Sequence, residues 1–319
     1  AANTCGHCNT AVGYESLQAN TTGNYNTAVG RLAMYSNTTG AYNTAIGMHS
    51  LDANTSGLGN TASGYGALGS STSGHYNAAF GYLSLADATT ASHNTALANY
   101  ALQQNTTGAG NTASGSNALR NNTTGANNTA HGCRALFCNT TGSANTAIGN
   151  QALYTNSTGS QNVAIGCLAG FTTTGNDNTF VGTEAGRYTS SGKCHVAIGR
   201  NAMRMNSTGC RNNVIGAWAL YRNTTGTNNT ASGYYSLNCN TTGSNNNAVG
   251  LFALRCNCTA SNNNAFGYAA LTNNNAADNN AFGYAALQYN TTGSKNTAMG
   301  CRAMNSNTVG CCNTAVVVP

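Results

Sequence analysis

Charge is scarce in this sequence. Twelve Lys and Arg and six Asp and Glu are scattered singly through 319 residues, 6% of the chain, where a soluble globular domain carries about 25%. Uncharged polar groups must therefore keep the folded chain in solution. Proline and tryptophan each occur once. No apolar run reaches the twenty or so residues that a spanning helix needs, so no membrane span is expected. The net charge of +6 is not gathered into a basic run or a basic–aromatic stretch, and nucleic acid is not an expected partner. The few acidic residues (Glu15, Asp52, Asp87, Asp177, Glu184, Asp278) form no recognisable catalytic pair, and the six histidines fall at unrelated places. The expectation is a protein that is not an enzyme and uses no cofactor.

What is present is a tandem repeat. The block Asn26-Thr-Ala-Val-Gly30 returns at Asn43–Gly47 and Asn60–Gly64 and continues to the C-terminal end. Anchored on its glycine, the repeat steps by 17 residues, except for two steps of 16, from Gly166 to Gly182 and from Gly267 to Gly283. Nineteen copies result, with the consensus N-T-A-(I/V/S/F)-G-x-x-A-L-x-x-N-T-T-G-x-x, numbered here as positions 1 to 17. Position 3 is Ala in 17 of the 19 copies, with Phe180 and Val214 as exceptions, and position 1 is Asn except at His195. Such constancy within one chain means that every copy meets the same neighbours, as stacked coils do.

Two glycines in 17 residues, with abundant Asn and Thr, disfavour helical repeats. The pattern predicts an all-β fold: a single-chain parallel β-solenoid, or β-roll, of about 19 coils forming one domain over residues 1–319. Thr-Ala-Ile is a short strand, Gly a corner and Asn-Thr-Thr-Gly a turn. The interior is expected to hold Ala, Ile or Val, Ala and Leu. Adjacent Ala and Leu cannot both face inward from a regular strand, so a short helical turn is expected at Gly-x-x-Ala-Leu. Asn at position 1 should form a ladder from coil to coil.

The blocks Asn162-Val-Ala-Ile-Gly166 and His195-Val-Ala-Ile-Gly199 resemble the head repeat of trimeric autotransporter adhesins of the YadA type. The longer unit, Asn145-Thr-Ala-Ile-Gly-Asn-Gln-Ala-Leu-Tyr-Thr-Asn-Ser-Thr-Gly159, is similar to repeats of phage tail-fibre and other surface-fibre proteins. This resemblance implies a β-roll, a fibrous or adhesive role, a homotrimer and a glycan receptor. The sequence departs from it in the insertion Leu-x-x-Asn-Thr-Thr-Gly, and the stalk, anchor and self-cleaving chaperone domain of those families are not seen.

Thirteen cysteines point to an oxidising, extracellular setting. Cys239 and Cys256 share position 11 one coil apart, Cys194 and Cys210 stand at positions 17 and 16 of successive coils, and Cys133 and Cys138 flank one Ala-Leu turn, so each pair is a candidate disulfide. Cys8 and Cys312 share position 17 in the first and last coils and are candidates for an intermolecular link in a head-to-tail polymer. Zinc is disfavoured at Cys5-Gly-His7-Cys8 and Cys256-Asn-Cys258, neither of which has a second paired half. Sequons recur at position 12, making Asn20, Asn37, Asn54, Asn105, Asn122, Asn139, Asn156, Asn206, Asn223, Asn240, Asn257 and Asn290 candidate glycosylation sites. The competing reading is that Asn-Thr-Thr-Gly is simply a good turn. Tyr14, Tyr65, Tyr82, Tyr234, Tyr268 and Tyr284 at position 6 are expected to be half-buried packing. The leading functional reading is an extracellular fibre subunit assembling head to tail. An ice-binding solenoid is the alternative, weakened by interruptions in the Thr column at position 2 (Ala78, Val163, Val196, Asn213, Asn247), and so is a glycan-binding adhesin head.

Overall fold

A computed structural model describes residues 3–317; Ala1, Ala2, Val318 and Pro319 lie outside the described residues. Regular structure in it is entirely β: nineteen strands of three residues, from β1 (Thr10–Val12) to β19 (Thr314–Val316), one per repeat and joined by turns. The final strand is described over Thr314–Val316. The chain divides into two compact units, Ala1–Gln161 and Asn162–Pro319. The first holds β1 to β9 (Thr146–Ile148), the second β10 (Val163–Ile165) to β19.

Within each unit every strand pairs in parallel with the strand one repeat later, residue against residue. Thr27, Ala28 and Val29 oppose Thr44, Ala45 and Ile46 in the first unit. Thr230, Ala231 and Ser232 oppose Asn247, Ala248 and Val249 in the second. Equal repeat positions are thus spatial neighbours, and the fold is a parallel β-solenoid. The two short repeats do not break the register: Val163 still opposes Thr179, and Asn264 opposes Asn280. The missing residue is absorbed in the turn. Asn162 Nδ2 reaches the carbonyl of Gly175, thirteen residues on, whereas Asn212 reaches Gly226, fourteen on.

A three-residue strand turns only its middle side chain inward. Position 3 is accordingly the buried one, with Ala28, Ala45 and Ala62 fully enclosed. Position 4, expected inside, faces out; the interior is Ala from position 3, Ala or Ser from position 8 and Leu from position 9. Burying each Leu contributes about 1.5–3 kcal/mol, and the sum runs along the coils.

The expected helical turn is also replaced. Positions 7, 9 and 17 take left-handed backbone in coil after coil, as at Leu32 (φ 58°), Met34 (φ 52°) and Tyr42 (φ 60°). Position 8 between them keeps negative φ, and this alternation lets neighbouring Ala33 and Met34 both point inward. A left-handed non-glycine residue costs roughly 1–2 kcal/mol. The cost is offset because these amides are bound by adjacent coils: Leu32 N donates to Tyr14 O at 3.0 Å and Met34 N to Ser50 O at 3.0 Å. Position 5 turns more sharply still, with Gly47 at φ +126°, where a Cβ would fall 2.6 Å from the Gly64 carbonyl oxygen. Glycine holds that corner in most coils, and Ala98 takes it with the same φ of 126°.

Candidate functional site

The recurring polar side chains are spent inside the solenoid. At position 1, Asn43 N donates to Asn26 Oδ1 at 3.0 Å, and Asn43 Nδ2 donates to Gly57 O at 2.8 Å. The expected ladder is present. A second ladder runs at position 12, where Asn37 Nδ2 donates to Asn20 Oδ1 (2.8 Å) and to Gly40 O (3.1 Å). Thr at position 13 closes the turn: the carbonyl of Thr38 accepts the amides of Thr21, Thr22 and Gly23 as well as the Thr21 hydroxyl.

This geometry corrects the glycosylation reading. Asn20, Asn37, Asn54, Asn105, Asn122, Asn139, Asn156, Asn206, Asn223, Asn240, Asn257 and Asn290 are all buried, none more than 1% exposed. The amide nitrogen that would carry a sugar is the ladder donor, enclosed by the adjacent coil. The sequence pattern is a turn and an interior ladder, with no room for a glycan in the folded chain.

His195, the single break in the position 1 column, keeps that ladder's chemistry. His195 N donates to Asn178 Oδ1 at 3.1 Å, and His195 Nδ1 accepts the Asn212 N–H at 3.2 Å, as an Asn Oδ1 would. Its Nε2 lies 3.2 Å from Asn206 Nδ2 of the position 12 ladder. Burial lowers its pKa to about 4, so the ring is neutral and structural. Asn is also replaced at position 12, by Ser71 and Ala88 in the first unit and by Thr173 and Thr189 in the second. In the first unit that ladder stops at Ser71 and Ala88, leaving Asn54 Oδ1 and Ser71 Oγ buried without a partner.

The outward positions are the ones left open to a partner. Position 4 forms an apolar ridge in which Ile46 is 47% exposed, Phe80 43%, Ile215 46% and Phe282 39%. In the second unit nine of the ten residues at this position are apolar, Ser232 being the exception. Phe266 and Phe282 stack with ring centroids 5.1 Å apart. Beside the ridge, the tyrosines at position 6 are exposed rather than half-buried, and they stack between coils: Tyr65 on Tyr82 at 5.3 Å and Tyr268 on Tyr284 at 5.2 Å. Position 17 adds Tyr25 on Tyr42 at 5.1 Å. Position 2, the column that ice binding would use, also faces out. In the second unit it becomes an Asn ladder, with Asn247 Nδ2 donating to Asn264 Oδ1 and Asn264 Nδ2 to Asn280 Oδ1, both at 2.7 Å.

All thirteen cysteines carry free thiols in the structure. Cys239 and Cys256 occupy equal places in adjacent coils. Burial pushes the Cys239 thiol up, and the Cys256 thiol beside it adds to the rise. Burial alone pushes up Cys138, which shares its coil with exposed Cys133. Cys194 stands opposite Arg211 rather than Cys210, which makes that pair diagonal. Cys8 and Cys312 are exposed, each in the left-handed backbone of position 17. Among the described residues no three His, Cys, Asp or Glu side chains are grouped to hold a metal ion, the Cys5–Cys8 and Cys256–Cys258 segments included. No helix among them is long and apolar enough to cross a membrane. No protein-family model and no curated protein matches the chain.

Proposed function

We propose that this protein is a structural subunit of an extracellular fibre, adhesive through its variable outer positions and not catalytic. The observation that carries the reading is the position 4 ridge. A column of Ile, Val, Phe and Met repeated at the strand spacing of ~4.8 Å, broken in the second unit at Ser232, is an exposed apolar row of the kind that marks an interaction surface. The partner with the same spacing is a second copy of this chain, whose own ridge can interdigitate with it coil for coil. Side-by-side packing through Ile198, Ile215, Phe266 and Phe282 would bury the ridge while the ladders hold each subunit. The Asn, Thr and His195 side chains are engaged in coil-to-coil bonding, which supports a load-carrying role. The likeness of the repeat to adhesin heads and tail fibres agrees with this reading.

Sedimentation velocity over a range of protein concentrations tests it, with negative-stain microscopy of the same samples. Oligomers or bundles are expected for the wild-type chain, and the double variant Ile198→Lys/Ile215→Lys should dissociate them without loss of the β signal in circular dichroism. A wild-type protein that stays monomeric at every concentration overturns lateral assembly. A second route is head-to-tail stacking, favoured by the exposed thiols of Cys8 and Cys312 at one repeat position. Covalent ladders on non-reducing gels, abolished by Cys312→Ser, would be its signature.

A further inference from the structure

Charge is unequally divided between the two units. The first holds three basic and three acidic residues, the second nine basic and three acidic. Seven of those nine lie between Arg187 and Arg255, and no carboxylate occurs from residue 185 to residue 276. Nothing in the linear sequence marks a basic patch, because the arginines are four to thirty-three residues apart. Coil stacking gathers five of them, Arg187, Arg200, Arg204, Arg222 and Arg255, onto the corner formed by positions 6 to 11.

Aromatic rings hold the guanidiniums of Arg187, Arg200, Arg204 and Arg255. The Arg204 guanidinium lies 5.1 Å from the Tyr188 ring and 5.8 Å from Tyr221. That of Arg200 lies 5.8 Å from Trp218, and that of Arg255 lies 5.4 Å from Tyr235 and 5.2 Å from Phe252. Trp218 and Tyr235 stack on each other, 6.0 Å apart and inclined by 4°. Glu184 binds Arg187 and Arg204. Arg200, Arg222 and Arg255 are exposed and have no carboxylate partner among the described residues.

We propose that this corner binds a linear anionic polysaccharide. It deepens the adhesive part of the reading above and rests on it. Planar guanidinium forks pair with carboxylate or sulfate groups through two parallel hydrogen bonds, and rings that hold the side chains in place reduce the entropy lost on binding. The rows advance by one coil, ~4.8 Å, so the corner presents positive charge along a line. Single-stranded nucleic acid fits less well, because it needs free aromatic faces for its bases and these faces are covered by arginine or by each other.

The test uses the full chain and dextran sulfate, with uncharged dextran and an oligothymidylate as comparators, in a titration at several salt concentrations. Dextran sulfate should bind and uncharged dextran should not. The triple variant Arg200→Gln/Arg222→Gln/Arg255→Gln should lose about tenfold or more in affinity and show a shallower salt dependence. The variant Arg31→Gln/Arg120→Gln/Arg134→Gln removes the same charge from the first unit and should bind within about twofold of wild type. Equal losses in the two triple variants, tighter binding of the oligothymidylate, or no binding by the wild-type chain would each overturn the proposal. Sedimentation of the triple variants separates this outcome from the fibre reading, since loss of polysaccharide binding leaves lateral assembly intact.

Discussion

Phe180 and Gly186 exchange places with the Ala and Leu of the repeat. The Phe180 ring fills the space above Gly186 so closely that a Cβ on that glycine would fall 2.3 Å from ring atoms Cδ1 and Cε1. Position 3 is Ala in the other coils except at Val214, and position 9 is Leu or Met except at Gly170 in the preceding coil; here the large residue has moved across the core. Phe180→Ala should leave a cavity and cost about 3–5 kcal/mol. Gly186→Leu alone should also destabilise, by a clash with the ring. The double variant restores the usual Ala and Leu, and urea unfolding should find it more stable than either single variant. Additive losses would show that the two residues do not share one space.

His195 makes stability depend on pH. Its folded-state pKa, lowered to about 4 by burial, lies below the 6.5 of an unfolded chain. Both states are neutral above pH 6.5, so the ring's contribution is complete there. As pH falls from 6.5 to 4 the unfolded state takes up a proton that the folded state refuses, and stability declines. Below pH 4 both are protonated and the decline stops, after a loss of at most about 3 kcal/mol. His195→Asn puts back the ladder residue. Its unfolding free energy should be flatter than wild type across that window, and parallel curves would show that the ring titrates normally.

The periodic part of this fold was legible in the sequence because every coil meets the same surroundings. The period, the parallel stacking and the position 1 ladder all follow from the constancy of Asn26, Ala28 and Gly30 and their counterparts. The inside and outside of the coil were less legible. Ile46 reads as a core residue by type, but a strand of three residues has one inward place, and Ala45 fills it. The left-handed conformations of Leu51 and His49 leave no mark in residue type, since tertiary hydrogen bonds impose them. Asn37 shows the same ambiguity: its sequon is genuine as a pattern, and only the burial of its amide shows which reading holds. The arginine corner was invisible because its members come together only when positions 6 to 11 are stacked.

Cys239 and Cys256 supply a prediction about oxidation. They stand at one position of adjacent coils, and a link between them would close a loop of about 17 residues, worth about 3 kcal/mol in the unfolded-chain model. The raised pKa of Cys239 slows its thiolate chemistry at neutral pH, so the bond should form faster at pH 9 than at pH 7. Peptide mapping of protein oxidised at each pH should recover a cross-linked peptide spanning the two cysteines, with a higher unfolding temperature than the reduced form. Recovery of both residues as free thiols after oxidation at pH 9 would rule the staple out.

The interrupted ladder of the first unit offers the most direct test of what holds the coils together. Position 12 runs Asn37, Asn54, Ser71, Ala88, Asn105, Asn122, and the hydrogen bonds follow the residue types. Asn54 Nδ2 donates to Asn37 Oδ1 at 2.8 Å and Asn122 Nδ2 to Asn105 Oδ1 at 2.7 Å. Between them Asn54 Oδ1 and Ser71 Oγ have no partner. A buried polar group left without a hydrogen bond costs about 1–3 kcal/mol, and a column mends only if each missing member is supplied. Ser71→Asn alone should give Asn54 its donor but leave its own oxygen facing Ala88, for little net gain. Ser71→Asn/Ala88→Asn should connect Asn54 to Asn105 without a gap and stabilise the unit by about 1–2 kcal/mol. Amide hydrogen exchange of Thr55, Thr72 and Thr89, whose N–H groups donate to the next coil, should slow in the double variant and much less in either single variant. If the double variant is no more stable than wild type, the ladder amides are filling space rather than bonding, and the column at position 12 is not what binds coil to coil.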